Sequence, residues 1–561
     1  MSLNATLNSA SLGLSAQKAA MQVIGHNIAN ANTEGYSRQI LSLESMSGST
    51  GNQYGQVGLG VRVQGVTRSL DQSLSNQLST QNTNVSNWDE TYKLQSRIEG
   101  IVNETANTGL SFLMNDFFGA WQDVANVPDN MGARANLATQ ASNMSNYVNG
   151  VQSNLDQLQR DINSSVESAI SEVNRLSAEI SNFNTSIQGV ESTGQNANDL
   201  RDKRDNALNS LANLVDIRYY EQANKQVFVQ TANGVSLVAG AGNLTLQGQA
   251  NGDNNEYKDV MWNDGKDNLT DVTAKMTGGQ LGAMIEMRDT TIPGYIEDLD
   301  RLSGSMAVSV NELHQQGYDA YGSSGINFFT PPAGGFNAFR TNAGTETMSV
   351  SVSNPGTLTR DNYTIQFTSA TQYSITNRTN NSVEAGGPFD NTTGAAFFAA
   401  RGLNVSFAGA ATAGDKFIVG SAVDMARDLT VNQSILDNPA HIAASLDGQI
   451  GDNGNAQRIL QLQYSAEVDN FNSTTGSGTF TFAEYYGSFV TQIGNDTAYA
   501  KNSFVQSDSM LTQLKNYRES VSGVSLDQEM ADLIRYQQAF SGSAKMISVV
   551  NDMLREVANM I

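Results

Sequence analysis

The chain has no cysteine in 561 residues. Disulfides, thiolate metal sites and cysteine nucleophiles are thereby excluded. Histidine is nearly absent as well. His26, His314 and His441 lie in unrelated segments, none at metal-ligand spacing from another, so a structural place suits each better than a catalytic one. Proline is scarce, with 7 residues and none between Pro128 and Pro293, which lets helices run long. Basic residues are outnumbered, 32 against 55 acidic ones, for a net charge of -23. That balance repels nucleic-acid phosphates and anionic membrane surfaces, so neither is expected as a partner. No segment approaches the roughly 20 apolar residues of a membrane span. The first cation is Lys18, with no uninterrupted apolar stretch before it, which argues against a cleaved secretory signal. The missing cysteines suit a chain that leaves the cell unfolded through a narrow export channel.

What is present is helical periodicity at both ends. Leu526, Leu533, Phe540, Ile547, Leu554 and Ile561 recur every seven residues, the spacing of a seam for another helix. Ala539, Met546, Met553 and Met560 form a second stripe, with Val550 and Val557 beside it. Ser525 and Gln528 have the spacing of a capping box. At the other end Leu3, Leu7, Ala10, Leu14, Met21, Ile24 and Ile28 alternate steps of three and four, interrupted by Gln17. Two amphipathic termini separated by almost the whole chain suggest a polymer subunit that forms a ring or tube of copies.

Between them the pattern predicts a multidomain α+β protein, with a coiled-coil-like inner domain of terminal helices, a long-helix bundle and inserted small β domains. Apolar residues from Leu137 to Val190 fall three or four apart and predict one long helix. Further helical stripes cover 66–104, 198–215, 291–316 and 486–521. Period-two alternation marks two insertions, the first around Asn233-Gly234 and the second through Met348-Val350-Val352, Tyr363-Ile365-Phe367, Tyr373-Ile375 and Phe417-Val419. Asn354-Pro355-Gly356 punctuates the second as a turn. The expected division is 1–60 with 523–561 as the inner domain and its linker, 61–215 with 280–321 and 432–522 as the bundle, and 216–279 and 322–431 as the β insertions.

Chemistry is thin. The glycines at 58–60 and 240–242 complete no nucleotide fingerprint. Asp253, Glu256, Asp259, Asp264, Asp267 and Asp271 crowd one stretch, but not at the spacing of a calcium loop, and a solvated acidic loop fits them better than weak calcium binding. The charge run Arg201 to Asp205 reads as a helix surface with local ion pairs. No cofactor, metal or catalytic residue is expected. Two other readings stand beside the polymer subunit: a surface adhesin using the outer β domain, and a glycan hydrolase, which needs two carboxylates across a cleft.

Three segments carry a resemblance. Asn27-Ile28-Ala29-Asn30-Ala31-Asn32-Thr33 followed by Gly35-Tyr36-Ser37-Arg38-Gln39 resembles the N-terminal motif of bacterial flagellar rod, hook and hook-associated proteins, although Glu34 stands where that family commonly has proline. Ser522 through Phe540 is similar to the C-terminal segment of the family's hook–filament junction members, and Asn198 through Asp205 to the motif they carry after a long helix. The resemblance implies a non-enzymatic extracellular subunit of the flagellar axis, sent out by the type III apparatus. Implied partners are hook protein on one side, a second junction protein on the other, and an export chaperone at the C-terminal helix. The residues expected to carry assembly are Leu3, Leu7, Leu14, Met21, Ile24 and Ile28 with the seven-residue seam from Leu526 to Ile561. The asparagines of the N-terminal motif read either as local turn chemistry or as contacts to neighbouring subunits.

Overall fold

In the computed structural model both ends of the chain are single helices laid side by side. The structure describes all residues except 1–2, 47–58, 104–108, 253, 267, 332–333, 340–341, 353–360, 379–381, 389–390, 421–422, 469–479 and 560–561. The turn expected at Asn354-Pro355-Gly356, the seam residue Ile561, its neighbour Met560, and Asp253 and Asp267 lie outside the described residues.

The first helix, α1 (Leu3–Asn30), leads into a hairpin of β1 (Gln39–Met46) and β2 (Gly60–Arg68). Then come α2 (Gln72–Val102), α3 (Leu110–Asn126), α4 (Met131–Glu191) and α5 (Asn198–Leu214). With 61 residues, α4 is about 90 Å long. Asn130 starts it by accepting the backbone N–H groups of Gly132 and Ala133 at 2.8 and 3.3 Å. One face then buries Leu137, Met144, Val148, Leu155, Ile162, Val173 and Ile180, a stripe three and four residues apart that makes this helix the spine of the bundle.

Seven short strands follow: β3 (Ile217–Glu221), β4 (Val227–Thr231), β5 (Ser236–Ala239) and β6 (Gly242–Asn243) make one antiparallel sheet, and β7 (Thr245–Ala250), β8 (Lys258–Asn263) and β9 (Leu269–Asp271) another. The Asn233-Gly234 turn is present, with Gly234 at φ +82°, but the register shifts beside it and the loop is longer than a two-residue hairpin. α6 (Gly279–Glu286) continues through a π-helical turn into α7 (Ile292–Gln316), whose flanks are buried almost all round.

The outer sheet has the order β10 (Gly335–Ala338), β16 (Lys416–Gly420), β12 (Asn362–Ser369), β13 (Gln372–Asn377), β14 (Val383–Pro388), while β11 (Thr347–Val352) pairs with β15 (Leu403–Ala408) beside α8 (Asn391–Ala399). Its core of Ile365, Phe367, Ile375, Phe398, Phe417 and Val419 is separate from that of the bundle. Phe328, Phe329, Leu429 and Val431, at the two roots of this insertion, pack into the bundle core.

The chain returns through α9 (Met425–Asp428), α10 (Gln433–Asp437) and α11 (Gly454–Gln461) to α12 (Phe482–Ser522), which opens with a capping box between Thr481 and Glu484. The last helix is α13 (Leu526–Asn559). α12 runs along α2, and their far halves meet through Leu74, Leu78, Val85, Leu511 and Leu514, a small cluster apart from the main core. Among the described residues no helix is long and apolar enough to cross a membrane.

Candidate functional site: a polar joint between the termini and the bundle

The three motif segments, far apart in sequence, converge on one place. Its centre is Asn27, 1% exposed in the last turn of α1. Its carbonyl oxygen accepts the Tyr36 hydroxyl at 2.8 Å and the Gln39 backbone N–H at 3.0 Å, and its amide donates to the Gln39 carbonyl at 2.9 Å and to Glu529 at 3.1 Å. All four hydrogen-bonding capacities of the side chain are used. That is how an asparagine is buried without a desolvation penalty.

Glu529 sits in the first turn of α13, where the helix dipole favours a carboxylate, and is as buried as Asn27. Arg38 Nε donates to its other oxygen at 2.7 Å, and the same guanidinium lies 3.5 Å from Asp532. The Arg38 backbone is fixed too, its N–H donating to Ser522 and its carbonyl accepting from Ser69, both at 2.8 Å. The start of α13, the end of α12 and the hairpin are thus tied through one residue.

α5 supplies the third side. Asp202 accepts the Ser37 backbone N–H at 3.1 Å and Arg68 at 2.6 Å, and Asp205 takes the same Arg68 nitrogen at 2.8 Å. Burial opposes the charge on Arg68, but the Asp205 and Asp202 carboxylates outweigh it and hold the guanidinium ionised. Gln39 donates to Asp199 at 2.9 Å, and Asn198 to the Val66 carbonyl at 2.9 Å. Gly35 has φ +76°, a conformation that favours glycine, and a Cβ there would lie 2.0 Å from the Asn206 side-chain oxygen, so the exposed Asn206 side chain would have to move.

Burial, then the Asp199, Asp202 and Glu529 carboxylates, push the Tyr36 hydroxyl far above its ordinary range. It stays protonated and donates to Asn27. Since its one proton goes there, His26 Nδ1, 3.0 Å away, must be the donor to the phenol oxygen. This arrangement offers no nucleophile or metal cage. Among the described residues no group of three His, Asp or Glu is placed to hold a metal ion. Of the acidic stretch, Asp259 accepts from Asn251 and Asp264 from Asn268.

The other expected residues are placed as follows. Asn30 makes local turn contacts, donating to the His26 carbonyl, while Asn32 and Thr33 are exposed. Ile28 is half-buried and Ala29 exposed. α1 and α13 pack along one another. Leu3, Leu7, Leu14 and Met21 on α1 and Leu533, Phe540, Ile547 and Leu554 on α13 are half-buried; Leu526 is exposed. The fully buried apolar residues of this pair are Ala10, Ala16, Ala20, Ile24 and Val550. Small side chains on α1 thus sit at the tightest approach. The Arg201 to Asp205 run is no simple helix surface. Asp202 and Arg204 are buried, and Arg201 and Arg204 reach Glu221 on β3. Sequence reading missed Arg38, Arg68, Asp202 and Glu529 as one constellation, although Arg38, Asp202 and Glu529 each lie in a quoted motif; Arg68, at the end of β2, lies in none.

Comparison with known proteins agrees with this geometry at both ends and in the middle. A family model described as flagella basal body rod protein matches residues 7–36, one for the C-terminal region of flagellar basal body rod proteins matches 518–560, and one described as the helical domain of flagellar hook-associated protein FlgK matches 95–329. These matches, at both ends and in the middle of the chain, are all to proteins of the bacterial flagellum. Along its full length it is similar to flagellar hook-associated protein 1 of Escherichia coli strain K12, 28% identical over 99% of this chain and 100% of that one. The Bacillus subtilis strain 168 protein of the same name is 25% identical over 99% and 97%. The solved hook junction protein FlgK of Burkholderia pseudomallei shares the fold, with a TM-score of 0.69 at 19% identity, covering 80% of this chain and all of the other. Over nearly its whole length the chain thus resembles proteins named flagellar hook-associated protein 1. These relatives are structural flagellar proteins rather than enzymes.

Proposed function

We propose that this chain joins the flagellar hook to the filament as a ring of copies, entering the axial tube through α1 and α13 while the polar joint fixes the bundle to them. One observation carries the reading. After α1 has packed against it, α13 still exposes Met530, Ile534, Met546, Val549, Met553 and Val557. Burying a large apolar side chain is worth about 1.5 to 3 kcal/mol, so a helix with this face in water has partners still to meet. Neighbouring copies supply them, with Leu3, Leu7, Leu14, Met21, Ile24 and Ile28 and the seam from Leu526 to Ile561 completing the inner wall.

Hook protein and a second junction protein are the axial neighbours in this reading. An export chaperone covers the C-terminal helix before assembly, and the chain leaves by the type III route without a cleaved signal. The protein has no catalytic role and needs no cofactor. Electron microscopy of a strain lacking the gene is the test. Hooks without filaments, with filament protein in the medium and rescue by the wild-type chain, are expected; attached filaments in the deletion strain would overturn the proposal.

A further inference from the structure

Between the bundle and the outer β domain lies a cleft of about 690 Å³, within the size range of small-molecule sites. Four parts of the chain wall it on the bundle side. α4 contributes Gln152 and Asp156, α7 contributes Glu297 and Asp300, the loop between β7 and β8 contributes Asn254 and Glu256, and the segment 423–427 closes one end. The opposite wall is one face of the outer sheet. Asn337 on β10 stands opposite Ile418 on β16, and Asn362 on β12 stands opposite Gly420, two residues along from Ile418, so Asn337, Ile418 and Asn362 share the face that borders the cleft.

A buried amide on each wall lacks a donor. Gln152 is 1% exposed; its Nε2 donates to Asp156 at 3.2 Å, while its Oε1 accepts no hydrogen bond. Asn362 is 7% exposed, and its Oδ1 is unpartnered as well, lying over Gly420, where a Cβ would come within 1.9 Å of it. A buried carbonyl oxygen left without a donor costs free energy, and folded proteins leave few of them. Here two such acceptors border one cleft from opposite sides. Both call for N–H or O–H groups.

Charge selects the donor. Asp156, Glu256, Asp289, Glu297, Asp300 and Asp424 border the cleft, against the guanidinium groups of Arg378 and Arg427. Arg378 is taken by Glu297 at 2.6 Å, Arg427 is shared by Asp424 at 3.2 Å and Asp156 at 3.4 Å, and Asp289 is held by the buried Arg288 at 2.6 Å. Asp300 is placed differently. It is 4% exposed, its oxygens accept the backbone N–H groups of Ala426 and Asp424 at 2.7 and 3.2 Å, and among the described residues no cation pairs with it. Burial pushes its carboxyl well above the ordinary range, and the Asp424 carboxylate adds to the effect. A cation in the cleft relieves both. Among the described residues no group of three His, Asp or Glu is placed to hold a metal ion, so an extended cation with several N–H donors fits better than a point charge. We infer that this cleft binds a small organic cation of the linear polyamine class, whose N–H groups supply the donors that Gln152 and Asn362 lack and the positive charge that Asp300 lacks, bridging α4 and α7 to the outer sheet. The inference goes beyond the junction role and does not depend on it.

Spermidine is the probe, titrated calorimetrically into the full chain at about 150 mM salt, where the diffuse attraction of a chain of net charge -23 is largely screened. Saturable binding of a single molecule per chain is expected, with Kd below about 1 mM. Gln152→Leu removes an acceptor that has no donor, so it is expected to melt no lower than wild type and yet to weaken binding at least about tenfold. Asp527→Asn takes the same unit of charge from an exposed site on α13 and is expected to bind as wild type. Hydrogen exchange at residues 335–338 and 423–428, on the two sides of the cleft, is expected to slow when spermidine is bound. Failure to saturate at about 5 mM spermidine overturns the inference, since the two acceptors then need only water. Wild-type affinity in Gln152→Leu, or equal weakening by Asp527→Asn, overturns it by making the binding a property of overall charge, and unchanged exchange on both sides of the cleft overturns it by removing the bridge.

Discussion

Asn27 donates a hydrogen bond of 3.1 Å to Glu529, across 502 residues of chain. Both side chains are 1% exposed, and Arg38 completes the set by pairing with Glu529 at 2.7 Å. The first and last helices are therefore held in register by a buried amide and a buried carboxylate as well as by apolar packing. Removing one member of such a set leaves the others buried and unpaired, which costs more than the set contributes intact.

Glu529→Ala is accordingly expected to loosen the joint by about 2 kcal/mol, below the range for a fully buried pair because Arg38 is partly exposed. The measurement is hydrogen exchange at residues 27–39 and 522–532, with faster exchange there and unchanged protection in α4. Asn27→Asp brings a second carboxylate against Glu529 and is expected to act in the same direction, most strongly at neutral pH. Unchanged exchange in both variants would show that the apolar seam alone sets the register.

Two glycines give opposite predictions. Gly35→Ala must adopt φ near +76° and displace the Asn206 side chain, so a loss of about 1 to 2 kcal/mol is expected, with faster exchange at the turn and reduced swimming. Gly25 lies exposed within α1, and a Cβ added there would meet nothing within 4 Å. Gly25→Ala should stabilise α1 by about 0.5 to 1 kcal/mol through helix propensity alone. A stabilised Gly35→Ala would mean that the turn is not as tight in solution.

How much of this was legible in the sequence depends on range. α4, α7 and α13 were readable because their apolar residues repeat at helical spacing and proline is absent from their interiors. α3 escaped notice all the same. Its sequence does carry a stripe, Leu110, Met114, Phe117, Phe118, Trp121 and Val124 at helical spacing, but at 17 residues it is short beside its neighbours and was passed over. The joint was invisible as a joint because many of its contacts span 160 residues or more, as from Gln39 to Asp199 and from Ser37 to Asp202. Charged residues close in sequence look like a solvated face, and nothing local says that Asp202 and Arg204 turn inward. The only signal was that three motif segments all combined asparagine, aspartate or glutamate with arginine.

Acid should weaken the bundle through His314. It is fully buried between Trp121 and Phe328, and Nε2 accepts the Ala443 backbone N–H at 2.8 Å, so it is folded as the neutral ring. Burial pushes its imidazole down to about 4, against about 6.5 in the unfolded chain. Below pH 6.5 the unfolded state takes up a proton that the folded state refuses, so stability is lost as pH falls from about 6.5 toward 4 and is intact above it. Asp298 acts with the opposite sign, since burial raises its carboxyl to about 6 and favours the folded protonated form as pH falls. The two are separated by comparing wild type with His314→Gln. Between pH 7.5 and pH 5 the wild type should lose about 2 kcal/mol more in urea unfolding of the bundle. Parallel pH profiles would place the proton elsewhere.

The terminal helices give the last prediction. Within one chain α1 packs mainly on α13 and the hairpin, and among the described residues of α13 only Glu529 and Val550 are buried. A helix pair with so little buried surface holds few of its backbone hydrogen bonds against opening. In the free monomer, residues 3 to 26 and 533 to 559, outside the polar joint, are therefore expected to exchange within seconds to minutes, while α4 is protected far longer, and both ends become protected in assembled flagella. Ile547→Asp places a charge in the middle of the seam, where burial against neighbours would leave it unpaired. It is expected to abolish incorporation and leave the melting of the bundle unchanged. Strong protection of both ends in the monomer, with normal incorporation of Ile547→Asp, would make the terminal pair a finished intramolecular coil and remove its role in assembly.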